Sequence, residues 1–397
     1  MSAPVKRRPA GSTLLAMQFA APPCSLPALV GQPEETTARH AAYLSTAHFA
    51  SLDGLRFFSI VPVVWHHSTS GPRSGVLGKG PLGVELFFAI SGFLITTRLV
   101  REQRARGDVA VRQFYARRAL RIFPLYYAVL AIYALRAWLV LPASPERAHF
   151  LRSLPFWATY TADWFVDVAV THPIIFSFGW SLAVEEQFYL LWPWIVRATR
   201  GALFPVGAAL LLLAVDQGVE SGSLAISGLA HRMITSISTP ICLGALLAYA
   251  LDRPRSFALA WRVLGRRASA PLAFLALAAL VVADGAPMLA VHVALVLLVG
   301  ACCVRPDHGL AAITDARPLR WVGTVSYGVY LLHVSAITAW KRVLPAAWIS
   351  APLVFALSLL VSLGLAAASY RWFERPFLRL GDRFRGARAL RAAPVLR

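Results

Sequence analysis

A chain of 397 residues that is 57% hydrophobic and only 15% charged cannot clothe a soluble globule of its size in polar surface. Its mean hydropathy is +0.59, and apolar windows of about 20 residues, the length that crosses a bilayer core, recur along it. The formal net charge of +20 does not make it a nucleic-acid binder, because its arginines and lysines lie in short clusters between apolar stretches.

In chain order, residues 1–50 read as a disordered or weakly ordered cytoplasmic tail, rich in Pro, Ala and small polar types. Lys6-Arg7-Arg8 ahead of Leu14–Ala21 has the outline of a signal peptide, but its apolar part is short. Ten apolar segments follow, near 54–70, 81–98, 120–141, 178–196, 202–216, 229–250, 270–284, 288–304, 321–340 and 351–371. The stretch 154–177 combines aromatics with Asp163, Asp167 and Pro173, which predicts a re-entrant or interfacial segment. With both termini cytoplasmic, most of the 39 lysines and arginines fall inside, led by those between Arg98 and Arg121 and those after Tyr370. A full crossing by 154–177 would carry Arg197 and the Arg253–Arg267 cluster to the wrong side.

The expected architecture is therefore all-α and polytopic, with about ten transmembrane helices in one domain over 51–380 and a basic cytoplasmic tail over 381–397. Cys24, Cys242, Cys302 and Cys303 have no metal-ligand spacing and read as small hydrophobes, so neither a disulfide nor a metal site is expected.

Polar groups inside spans are costly, and each needs a reason. In the first span Asp53 is placed to cap the helix. Arg56 and His67 stand eleven residues apart, which puts them on one face about 16 Å apart along the axis. His66 points about 100° away from that face, and Pro62 lies between the two. An arginine near the cytoplasmic surface can hold a phosphate while an imidazole further along deprotonates a hydroxyl. The bland alternative is that Arg56 snorkels to the headgroups and His67 bonds a neighbouring helix.

Ser91-Gly92 in the second span reads as a small-residue helix contact, and Glu85 sits near the outer boundary. Arg118 and Arg121, one turn apart with Arg117 beside them, mark the entry of the third span; such arginines set topology or bind phosphates. Glu185, Glu186 and Gln187 lie deep in the fourth, where Ser181, Glu185 and Tyr189 form one stripe. Unpartnered carboxylates there are so costly that a role is expected: orienting an imidazole, binding an acceptor, or pairing with an arginine. In the ninth span Ser326, Tyr330 and His333 share a face, with a structural hydrogen bond the plainer reading of His333. Arg371 and Glu374 are spaced to pair, and Pro376 is placed to end the last helix.

Six motifs occur in a familiar order: LDGLR…HH at 52–67, GVELFFAISGFLIT at 83–96, FYARRALRIFP at 114–124, GWSLAVEEQFYLLWP at 179–193, SYGVYLLH at 326–333 and YRWFERPF at 370–377. Together they resemble the acyltransferase-3 family of bacterial membrane O-acyltransferases, over about residues 50–380. The resemblance implies a catalytic histidine at His67, with acyl-CoA engaged by Arg56, Arg118 and Arg121. Glu85 stands where many members have Asp. Some relatives carry a further SGNH-type hydrolase-like domain after the membrane domain, which these residues do not contain.

The expected function is transfer of an acyl group, taken as acetyl, from acyl-CoA to a hydroxyl of a carbohydrate such as a surface polysaccharide or lipid-linked glycan. His67 is the expected base, Glu185 and Glu186 its catalytic companions, and His66, Ser181, Tyr330 and His333 auxiliary candidates. No bound cofactor is expected; acyl-CoA is a cosubstrate, the bilayer and a glycan or small-molecule acceptor are the partners, and the bacterial inner membrane is the location. Acylation of a small secondary metabolite such as a macrolide is the alternative acceptor. A transporter is the rival class, but no inverted repeat or paired broken helices stand out.

Overall fold

The computed structural model describes residues 33–69, 78–166, 175–199, 201–283 and 285–384. Among them the secondary structure is entirely helical. The helices are α1 (Pro33–Ser45), α2 (Ala50–Ser68), α3 (Leu82–Arg106), α4 (Val111–Leu139), α5 (Pro145–Ala158), α6 (Ala162–Phe165), α7 (Trp180–Ala198), α8 (Leu203–Glu220) and α9 (Gly228–Thr235). They continue with α10 (Thr239–Asp252), α11 (Pro254–Leu264), α12 (Ser269–Val282), α13 (Met288–Val304), α14 (Ala311–Thr314), α15 (Arg317–Val343), α16 (Ala351–Ala368) and α17 (Arg375–Asp382).

Each of the ten apolar segments coincides with helix, but not each helix is long and apolar enough to cross a bilayer. Five are: α3, α4, α8, α15 and the continuous run from α16 through α17. The bent pairs α1–α2, α9–α10 and α11–α12 raise the number to eight. The segments expected at 178–196 and 288–304 are α7, which carries Glu185 and Glu186, and the shorter α13. Large apolar side chains such as Leu210, Leu211, Leu360 and Leu365 face outward, as lipid-covered surface does.

Helix α2 is central because its two halves feed different cores. Ile60, Val63 and Val64 pack with Leu125, Tyr126 and Val329, whereas Leu52 and Leu55 pack with Phe93, Leu295 and Val299. Small residues let its neighbours come close. A Cβ on Gly323 of α15 would lie 1.9 Å from the Asp53 carbonyl oxygen, and one on Gly92 of α3 would lie 2.0 Å from that of Ile241 in α10. The Gly92 contact is the helix contact its small size predicts.

Several local expectations change. Pro33–Ser45 is helical within the segment expected to be a weakly ordered tail, because Tyr43 is buried against Phe49 and Phe257 and its carbonyl accepts from Arg101. Asp53 does not cap α2, which starts three residues earlier with Phe49 at the cap; its carboxylate accepts from Arg56 at 2.9 Å and meets His48 at 3.0 Å. The helix does not end at Pro376. A π-helical turn over Ser369–Glu374 leads into α17, where proline sits in the first turn and no backbone N–H is needed. Glu374 accepts from Ser369 at 3.0 Å.

The segment expected to be interfacial opens with the end of α5 and the short α6. Gln187 of α7 holds it down, donating to Tyr160 O and to both Asp163 oxygens (2.8 and 3.0 Å). Burial pushes the Asp163 carboxyl up to about 6. Asp167 and Pro173 lie outside the described residues, as do Cys24, the Lys6–Arg8 cluster and the tail from 385. Cys242, Cys302 and Cys303 are buried free thiols.

Candidate active site

One helix carries the two residues singled out by their spacing. Arg56 stands in the second turn of α2, tied to Asp53, and His67 stands in the last turn. Three helical turns separate them, so the site has two centres on one rod.

The imidazole centre is built from α2 and α15. His67 Nδ1 lies 3.0 Å from the Val63 carbonyl oxygen and 3.2 Å from His333 Nε2. His333 Nδ1 lies 2.6 Å from the Tyr330 carbonyl oxygen. A carbonyl only accepts, so both Nδ1 atoms carry protons, and the lone pair of His333 Nε2 faces the N–H of His67. The neutral His67 ring therefore keeps its basic lone pair on Nε2, the geometry a general base requires. His333 is fully buried, beneath Phe178 and Tyr330. Of the two readings of this residue, the structural hydrogen bond is real, and what it holds is the other histidine.

The arginine centre is built from α2, α4 and α7. Arg56, Arg118 and Arg121 lie within electrostatic reach of one another. Arg118 stacks over Tyr189 with 3.7 Å from guanidinium carbon to ring centroid, and Glu185 and Glu186 are in reach of its charge. Ser91 Oγ donates to Glu185 Oε1 at 2.6 Å. Two atoms here are buried without a hydrogen-bond partner among the described residues, Arg118 Nε and Glu186 Oε1. Arg121 is exposed, with Glu374 and Tyr370 among the polar groups in electrostatic reach. Beside it Tyr327 Oη donates to Ile122 O at 2.7 Å, which fixes α15 against α4.

The remaining expected residues divide. Ser181 and Tyr330 join hydroxyls at 2.6 Å, and Tyr330 Oη donates to the Phe178 carbonyl oxygen at 2.6 Å, so this pair pins the start of α7. His66 meets His67 edge-on at 5.3 Å between ring centroids and backs onto Gly80. Of the three uses open to Glu185, the geometry favours charge pairing with arginines, since its neighbours are Ser91, Arg118 and Arg56. Sequence reasoning passed over Ser91, taken as part of a helix contact, and Glu374, taken as part of a helix end. A hydroxyl beside Gly92 in an apolar run was the only signal for the first.

The Acyltransferase domain family profile matches residues 49–371. That stretch contains every member of both centres except Glu374. The chain belongs to the acyltransferase-3 family. Similar proteins include YrhL of Bacillus subtilis, 29% identical over 86% of this chain and 57% of its own length. Another is a peptidoglycan O-acetyltransferase of Listeria monocytogenes, 27% identical over 85% of this chain and 57% of that protein. An O-acetyltransferase of Staphylococcus aureus is 26% identical over 85% and 58%. The chain thus spans less than two thirds of the length of these relatives. No solved structure matches it.

Proposed function

We propose that this protein is a bacterial inner-membrane O-acyltransferase that moves an acetyl group from acetyl-CoA to a hydroxyl of a glycan. The observation that carries the reading is the pairing, on one helix, of an arginine cluster with a histidine whose basic nitrogen is set by a second histidine. Three guanidinium groups gathered in one place can bind an anion with several charges, and the phosphates of coenzyme A are such an anion. The roughly 16 Å between Arg56 and His67 suits a pantetheine arm lying along α2. Relatives named as O-acetyltransferases, one of them for peptidoglycan, support a glycan acceptor.

In this reading the ten apolar segments are all spans, both termini are cytoplasmic, and the arginines face the compartment where acyl-CoA is made. The acceptor O–H gives its proton to His67 Nε2 while its oxygen attacks the thioester carbonyl carbon. The C–O bond forms, the C–S bond breaks, and the sulfur leaves with the bonding pair and takes the proton back from the imidazolium. His333 acts as a positioning residue, its Nε2 sharing the Nδ1 proton of His67 as that ring becomes charged. Arg118 and Arg121 hold phosphates, and Glu185 keeps Arg118 and Arg56 in place.

The test is thiol release by purified protein given acetyl-CoA and a panel of glycan acceptors, beside His67→Ala. Release that depends on acceptor and is lost in the variant supports the reading. No release, with no binding of acetyl-CoA or of longer acyl-CoA, overturns it.

A further inference from the structure

At the end of the bundle where α2 finishes and α3 begins, a cavity of about 160 Å³ is lined by Glu85, Asp216, Glu220, His292, Trp180 and Phe88, with hydroxyl-bearing residues around Ser238 closing it. Three carboxylates on one small cavity stand out in a chain with 39 basic and 19 acidic residues. The fold partly explains how they are tolerated. Glu85 sits in the first turn of α3, and the starts of α7, α10 and α13 converge on the same place, so helix N-termini favour negative charge there. Thr239 donates to Asp216 and Gln217 to Glu220.

Those contacts leave polar groups unanswered. His292 is only 6% exposed, and its Nδ1 has no hydrogen-bond partner among the described residues. Its Nε2 is 3.7 Å from Glu85 Oε2, too far for a hydrogen bond. Ser238 Oγ on the wall is likewise buried without a partner. A buried donor or acceptor left unmade is costly, so the cavity is shaped for a guest that both donates and accepts. Phosphate or carboxylate would be repelled by the three acids, and an apolar guest would leave every one of these groups unmet. An ammonium ion could donate to Ser238 and to the acids, but it could accept from neither a hydroxyl nor an imidazole N–H. No three His, Cys, Asp or Glu side chains among the described residues are arranged to ligate a metal. Sugar hydroxyls donate to carboxylates and accept from hydroxyl or imidazole N–H. Trp180, 39% exposed and edge-on to Phe88 at 6.1 Å, adds an apolar surface for the C–H face of a pyranose.

The cavity also adjoins helices that carry both centres. Its wall residue Val184 precedes Glu185, and Phe88 lies one turn from Ser91, the donor to Glu185. Val84, beside Glu85, shares a core with Val63 and Val64 of the His67 helix.

We propose that this cavity is the acceptor subsite and that it takes a neutral sugar residue, with Glu85 and Asp216 receiving its hydroxyl protons and Trp180 its ring face. The assignment rests on the acyl-transfer reading for its purpose, but its ligand can be tested without turnover. Calorimetry on the full chain in detergent would measure binding of a neutral N-acetylhexosamine tetrasaccharide and of the same tetrasaccharide carrying one phosphate. The expected result is binding of the neutral sugar, weakened about tenfold by Glu85→Gln and by Trp180→Ala, the effect of one hydrogen bond to a charged group. The phosphorylated sugar should bind about tenfold more weakly than the neutral one, and Glu85→Gln should narrow that gap. Thermal melts accompany each variant, and Glu220→Gln, at the exposed rim, gives a second reading should either fail to fold. No binding of the neutral sugar by the wild type, or affinity unchanged in all well-folded variants, overturns the assignment. If sugar binds as expected while no thiol is released from acetyl-CoA, the subsite stands and the acyl-transfer reading falls.

Discussion

The two ends of the bundle hold charge in different ways and solve different problems. At one end Arg56, Arg118 and Arg121 crowd together, answered by Asp53, Glu185, Glu186 and Glu374. At the other, Glu85, Asp216 and Glu220 ring a cavity whose one basic lining residue among the described residues is the buried His292. The arginines come from helix interiors and lean on aromatic rings and carboxylates; Glu85 sits at a helix start, where the dipole helps hold it, and Asp216 and Glu220 near the end of α8 accept from Thr239 and Gln217. The difference teaches that one end answers its cations with carboxylates from several helices, whereas the other gathers carboxylates around a single imidazole. The His67–His333 pair stands between the two, at the end of α2 away from Arg56.

Substitutions can break that comparison, and the largest effect is expected between the two ends. His67→Ala should lower acyl transfer on the order of 10²–10⁴-fold while acetyl-CoA still binds, as measured by thiol release beside calorimetry. Loss of both together would mean that the histidine and the arginines form one centre. Arg118→Ala or Arg121→Ala should weaken acetyl-CoA binding roughly 10- to 100-fold, with the neutral sugar's affinity unaltered. An equal loss at both ends would remove the division of labour. His333→Phe should cost roughly five- to tenfold in kcat, the worth of one hydrogen bond, and His333→Gln should restore part of it because an amide can both accept from His67 and donate to Tyr330 O. Equal defects in the two variants would leave His333 a packing residue.

Two smaller tests address the frame that holds the ends in register. Gly92→Val would press a side chain on the Ile241 carbonyl and should cost about 1–3 kcal/mol, seen as a lower melting temperature with both binding functions weakened together. Asp163, whose buried carboxyl titrates near 6, binds its proton more tightly folded than unfolded. Stability should therefore fall as pH rises from about 4 to about 6, and Asp163→Asn should flatten that slope in pH-dependent melts.

Much of this was legible in the residues themselves. The helices over the ten apolar segments, the Arg56–His67 alignment and the Arg118–Arg121 pair follow from composition and the 3.6-residue period, which act within one element. Even so, local rules misplaced Asp53 and Pro376. Both residue types can end a helix, and only packing decides whether the helix goes on.

What the sequence by itself determined, then, is a polytopic helical protein with acyltransferase motifs and the axial spacing of its first helix. Tertiary structure alone brought His333 to His67, Ser91 to Glu185 and Arg118 onto Tyr189, and gathered Glu85, Asp216 and His292 around one cavity. The reason is that each of these meetings joins different helices distant in the chain. Their register is set by close backbone contacts such as Gly92 on Ile241, and no periodicity within a single helix encodes it.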